Sequence, residues 1–197
     1  MRAGMFLTFL SMSFVALALV AQAMSFGESF LSIAALVLAF DFVVGVTTFL
    51  RMNGANFDDL RALHGMARIR HAYTQITPLV TPYFTVATHD DIDAVLTAYG
   101  PLPERLSGQF LYGLSTSSGM IALIVSMVGG VLTTVLAMLI GLEGSAPTWT
   151  GVAGGIVVLA ALFAFTERVI LREQRRFTVL FPTPVAEPVV SARSDEA

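Results

Sequence analysis

The sequence predicts an all-α polytopic membrane protein: four transmembrane helices, with a helical cytoplasmic insertion between the second and the third. Three observations carry that prediction. Apolar residues make up 55% of the 197-residue chain and charged residues only 13%, where a soluble domain of this length would have about a quarter charged. Four runs reach the roughly 20 apolar residues that cross a hydrocarbon core. The arginines avoid the two short connections between those runs.

The first hairpin occupies residues 1–50, with one span from about Met5 to Met24 and the next from about Phe30 to Leu50. The segment 51–113 is polar enough to lie outside the bilayer. A second hairpin covers 114–171, with spans from about Leu114 to Leu142 and from about Thr150 to Leu171. The third span is longer than the hydrocarbon needs, so it tilts or protrudes. Residues 172–197 form a basic stub and a tail. After Phe181 the tail has three prolines, small residues and charge, a composition that predicts disorder.

Orientation follows from arginine, because the chain has no lysine. The long segment carries Arg51, Arg61, Arg68, Arg70 and Arg105. Arg2 precedes the first span, and Arg168, Arg172, Arg175 and Arg176 follow the last. The positive-inside rule then puts both termini and the long segment in the cytoplasm of a bacterial inner membrane. Trp149 falls at the outer interface. A cleavable leader ending at Ala21–Ala23 is the competing reading of the first span, and it leaves the orientation unchanged.

Within the long segment, residues 56–76 read as a separate helix. Asn56 is its expected N-cap and Asp59 stands at the capping-box position. Phe57, Leu60, Leu63, Met66, Ile69, Tyr73 and Ile76 recur at helical spacing. Arg61, His64, Arg68, His71 and Gln75 fall on another face, flanked by Arg70. Such a helix suits a bilayer surface with anionic headgroups, Arg toward phosphate. The same stripe could hold an anionic ligand, since guanidinium groups grip phosphate bidentately, or a protein partner. His64 and His71 are two turns apart, too far to share a metal ion.

Residues 88–101 read as a short second helix. Thr88 is its expected N-cap, and Asp90, Asp91 and Asp93 lie in a first turn that favours anions. Gly100 and Pro101 are its stop signal. The stretch from Thr77 to Thr88 has two prolines and is expected to be extended. The stretch Gly65–His71, "GMARIRH", and the downstream His89-Asp90-Asp91 resemble a segment of uncharacterised actinobacterial integral membrane proteins. There, a similar pair of motifs lies between two pairs of spans. The resemblance runs from the second span to the fourth and implies the same membrane topology, with no assigned activity.

Inside the membrane, Asp41 stands out. A carboxyl group in hydrocarbon costs roughly 3 kcal/mol on insertion scales. Its candidate partners are Ser126, Thr133 and Thr134 of the third span, or Ser11 and Ser13 of the first. It is either a buried group that joins helices or part of a proton or cation path. Gly129 and Gly130 of the third span, and Gly151 and Gly155 of the fourth, permit close helix packing or self-association. The basic cluster Arg172, Arg175 and Arg176 suits anionic headgroups.

These observations also exclude function classes. Without cysteine there are no disulfides and no thiol chemistry. A net charge of −3 gives no sign of nucleic-acid binding. No phosphate loop, metal-ligand set or nucleophile elbow occurs, so no cofactor or metal is expected. The expected function is a non-enzymatic binding or scaffold protein. Its partners are anionic lipid, a second copy or another membrane protein. The alternative is an oligomeric channel or transporter that uses Asp41.

Overall fold

A computed structural model describes residues 2–24, 27–99, 113, 116–175 and 178–184. Among these the regular elements are all helical. They are α1 (Arg2–Met24), α2 (Glu28–Ile76), α3 (Ile92–Leu96), α4 (Ser117–Leu139) and α5 (Ala146–Gln174), with 3-10 turns at Pro78–Tyr83 and Thr97–Tyr99. Helices α1, α2, α4 and α5 are each long and apolar enough to cross a membrane. The expected stop signal at Gly100 and Pro101, the expected start of the third span at Leu114, Arg105, Arg176 and the tail from 185 on lie outside the described residues.

The chain divides into two compact units. One comprises Met1–Asp59 and Pro103–Arg176, the other Leu60–Leu102 and Phe177–Ala197. In the first unit, α2 presents a buried row at Ala34, Leu38, Asp41, Gly45, Phe49 and Asn53. Steps of three and four residues keep that row on one face. It meets Phe6 and Leu10 of α1, and Ile121, Ala122, Val125 and Val128 of α4, in one core that Leu162 of α5 joins.

Lipid tails are as apolar as leucine, so burial alone does not drive such helices together. Close packing does. The contact between α4 and α5 is built from glycine on both sides. A Cβ added at Gly130 would meet the Gly151 carbonyl oxygen at 2.9 Å, and one at Gly151 would collide with Thr134 Oγ1. Gly154 faces Thr133 in the same way, and a Cβ at Gly155 would lie 3.1 Å from the Ser126 carbonyl oxygen. Gly129 faces Phe42 and Val158 instead.

Several elements differ from their sequence expectation. The helix expected to start at Asn56 has no start of its own, because α2 runs without a break from Glu28 to Ile76. Asparagine disfavours helix interiors when its side chain competes for nearby backbone groups. Here both asparagines bond elsewhere. Asn53 Nδ2 donates to Thr166 Oγ1 of α5 at 3.1 Å, and Asn56 Nδ2 donates to Ser118 Oγ of α4 at 3.2 Å. No proline interrupts the run until Pro78. Asn56 and Asp59 are therefore helix-interior residues, not a cap and its partner.

Helix α4 is shorter than the expected span. Thr116 caps it by accepting from Gly119 N at 3.1 Å. At its other end the chain turns through Gly141, at φ 85°, a conformation that favours glycine. Helix α5 starts four residues earlier than expected, with Pro147 in its first turn, where a missing N–H costs nothing. Ala21–Ala23 lie inside α1.

In the second unit, the stretch expected to be extended begins with the 3-10 turn Pro78–Tyr83 and becomes extended at Phe84. Thr88 is not a cap. The N-cap of α3 is Asp91, whose carboxylate accepts from Ala94 N at 3.3 Å. Ala67, Ala94 and Val95 are buried here together with His64 and Asp90.

The α4–α5 contact is testable by one methyl group. Gly130→Ala should cost about 1–3 kcal/mol, as overpacking does. Gly4→Ala, where nothing lies within 4 Å, should be neutral or slightly stabilising through helix propensity. Unfolding of both variants in mixed micelles measures the difference.

Candidate functional site

Two groups of polar residues need chemical explanation, one in each unit. The first centres on Asp41. Its side chain is 1% exposed. Ser13 Oγ, on α1, donates to Asp41 Oδ1 at 2.9 Å, and Oδ2 is buried with no hydrogen-bond partner. The other hydroxyls considered as partners bond to their own helices. Ser11 donates to Leu7 O, Ser126 to Ala122 O, Thr133 to Gly129 O and Thr134 to Gly130 O. Asp41 thus joins α1 to α2 within an apolar core.

The second group lies on the last turns of α2, on the residues before α3 and on the segment Thr178–Pro184. Asp90 is its centre and is fully buried. Its carboxylate accepts from Leu180 N at 3.0 Å, from Phe181 N at 2.7 Å and from Arg68 Nε at 2.9 Å. Asp90 N donates in return to Phe181 O at 3.1 Å. The Arg68 guanidinium also donates to Thr178 O. Asp91 accepts from Thr183 N at 2.9 Å and from Thr183 Oγ1 at 2.6 Å. The Phe181 ring stacks on His71, with centroids 4.0 Å apart and planes 19° from parallel. His89 lies beside His71 at 5.9 Å.

Residues 178–184 therefore form a strap fastened to the second unit. The disorder expected after Phe181 does not extend to Pro182–Pro184, because Asp91 holds Thr183 at both its amide and its hydroxyl. The sequence predicts Asp90 and Asp91 as first-turn acids of a helix. Asp91 is instead the cap itself, and Asp90 serves the strap.

The charges follow from this geometry. Burial by itself would raise the Asp90 carboxyl, but the amides of Leu180 and Phe181 and the guanidinium of Arg68 together hold it below its ordinary 3.8. Burial opposes ionisation of Asp91 too. There the hydroxyl and amide of Thr183, with the amide of Ala94, bring it below the same value. Both are carboxylates at neutral pH. Burial, helped by the charge of Arg68, lowers His64 from 6.5, so it is neutral there.

The basic stripe is placed differently from a simple ligand-facing row. His64 and Ala67 are buried, and Arg68 and His71 are half-buried. Arg68 is committed to Asp90, and Arg70 donates to Ala87 O at 3.4 Å. The opposite side of the helix carries Met66, Ile69, Tyr73 and Ile76, which are 43%, 58%, 57% and 78% exposed. At 100° per residue, Arg61 and Arg70 fall on either side of that apolar row. Leu60 and Leu63, expected on the same apolar face, are half-buried instead. Arg172 and Arg175 are exposed at the end of α5, in the first unit.

Gly45 is a packing residue that sequence reading passed over. A Cβ there would lie 2.6 Å from Val125 Cγ2 and 3.0 Å from Phe6 Cζ. The signal was its place one turn after Asp41, on the same face. Among the described residues, no group of three or more His, Asp or Glu is placed to hold a metal ion. Comparison with protein-family models, with curated proteins and with solved structures gives no match.

Acid should release the strap. A carboxyl whose folded value is depressed stabilises the fold above its unfolded value, and that stability is lost as pH falls through the folded value. Protection of the Leu180, Phe181 and Thr183 amides from hydrogen exchange should hold from pH 7 to pH 5 and fall only below the ordinary 3.8. Asp90→Asn should remove most of that protection at pH 7, because a charge-assisted acceptor of two amides is replaced by a neutral one.

Proposed function

We propose that this chain is a four-span protein of a bacterial inner membrane and that it acts as a non-enzymatic binding or scaffold protein. Both termini and the segment between α2 and α4 face the cytoplasm, as the arginine distribution requires. The last turns of α2 carry the binding face, and it takes a protein partner: α2 is unbroken from Glu28 to Ile76, and at about 1.5 Å per residue a helix that crosses the bilayer carries these turns beyond the headgroups. The observation that carries this reading is the outward row Met66, Ile69, Tyr73 and Ile76 with Arg61 and Arg70 on its flanks. An apolar row with arginine at both edges suits an apolar partner surface rimmed by acidic groups. Leu79 and Tyr83, 82% and 83% exposed, extend the apolar surface along the following 3-10 turn.

The burial of Asp41 in an apolar core, with Ser13 as its hydrogen-bond donor, favours this reading over a transport path. An ion path needs water or a row of polar groups beside the acid, and the core around it is built of Phe, Leu, Ile, Val and Ala.

The chain has no cysteine, so single cysteines report position directly. A fluorophore on Val43→Cys, 57% exposed on the second span, should be quenched by lipids brominated on the acyl chain, and one on Tyr73→Cys should not. One on Asp93→Cys should not be quenched. A Tyr73 label quenched as strongly as the Val43 label would put this row in the bilayer and overturn the partner reading. Glu143→Cys should react with an impermeant maleimide from the periplasmic side, and Asp93→Cys only after the membrane is opened.

A further inference from the structure

The fastening of the strap has the anatomy of peptide recognition. An extended peptide bound through main-chain hydrogen bonds, with a pocket for one side chain, draws affinity from the backbone and specificity from the pocket. Here Asp90, Asp91 and Arg68 meet the strap at main-chain groups of Thr178, Leu180, Phe181 and Thr183. One side chain is recognised by its shape, the Phe181 ring on His71. Thr183 adds its hydroxyl. The other strap side chains, from Thr178 to Pro184, are exposed. Little apolar surface holds the strap, so its residence depends on charge-assisted bonds and on being tethered.

We propose that Arg68, His71, Asp90 and Asp91 form a peptide-recognition site whose ligand is an extended Leu-Phe-Pro-Thr segment, and that the Thr178–Thr183 strap of a second copy of this chain can occupy it in place of the chain's own. The occupant is argued from the bound segment itself. Each copy carries one strap and one site that fit each other. Exchange between two copies remakes every contact of the closed state, so the two arrangements differ mainly in effective concentration. Reciprocal exchange closes at two copies and leaves no site empty. This names a partner for the binding role proposed above, but it does not rest on the exposed row of α2. Exchange should be the same in anionic and zwitterionic vesicles.

The test is complementation between two full-length variants in proteoliposomes. Asp90→Asn weakens the site and leaves the strap intact. Phe181→Ala weakens the strap and leaves the site intact. Labelled separately and mixed, the two should associate by energy transfer, whereas neither should associate with itself. A copy carrying both substitutions should not associate with itself or with either single variant. A synthetic peptide of residues 178–184 should bind the Phe181→Ala chain saturably, at least about tenfold more tightly than it binds the wild type, whose own tethered strap competes. The same peptide with Ala for Phe should not bind. A mixed pair no more associated than either variant alone would overturn the exchange, whether or not the peptide binds. If Asp90→Asn fails to fold, the peptide decides: no saturable binding to the Phe181→Ala chain overturns the site.

Discussion

Polar groups removed from water must find their partners inside the chain, and α2 shows what that requires. Its inward face carries the buried Asp41 and Asn53 in the first unit, and the buried His64 with the half-buried Arg68 in the second. Asp41 has Ser13, Asn53 has Thr166 and Arg68 has Asp90. Each bond ties α2 to a different part of the chain. Leaving a buried polar group unmatched costs about 1–3 kcal/mol, more when it is charged. A slip of one residue in α2 would turn all of these groups away from their partners together. The register of α2 is thus specified by polar matches as well as by apolar packing. This is valuable in lipid, where apolar packing alone discriminates poorly between faces.

The same constraint separates the two acids by role. Asp41 has a single neutral donor and apolar neighbours. Asp90 has two amides and a guanidinium, and it is ionised. A buried charge is tolerable when it is fully hydrogen-bonded and paired, and Asp90 meets that condition only while the strap is in place. Without the strap, Asp90 would retain Arg68 and lose both amides. The strap is in this sense part of the second unit's fold and not an appendage to it.

The apolar runs were legible in the sequence because hydropathy depends on composition over some 20 residues and not on tertiary detail. Four helices with the length and apolarity to cross a membrane follow from that. The continuity of α2 was not legible. Asn56 with Asp59 three residues on reads as a helix start, and the hydroxyls that accept from Asn53 and Asn56 lie 113 and 62 residues further along the chain. Asp90 was misread for the same reason. A Thr-His-Asp-Asp run suits a helix start, and nothing local reveals that its carboxylate answers amides 90 and 91 residues away. The stripe of Arg61, His64, Arg68 and His71 was visible as a stripe, but its direction was not. Periodicity separates faces without saying which one turns inward, and here Arg68 turns toward Asp90. Gly45 was hidden because one glycine in an apolar run is unremarkable until Val125 and Phe6 are seen against it.

A binding role and a transport role part most clearly at Asp41. The direct measurement is proton and cation flux into liposomes holding the purified protein, wild type beside Asp41→Asn. Neither protein should carry flux, and both should fold, since Asn keeps an oxygen that accepts from Ser13. Flux in the wild type that vanishes in Asp41→Asn would place Asp41 in a wet path and contradict a purely binding role.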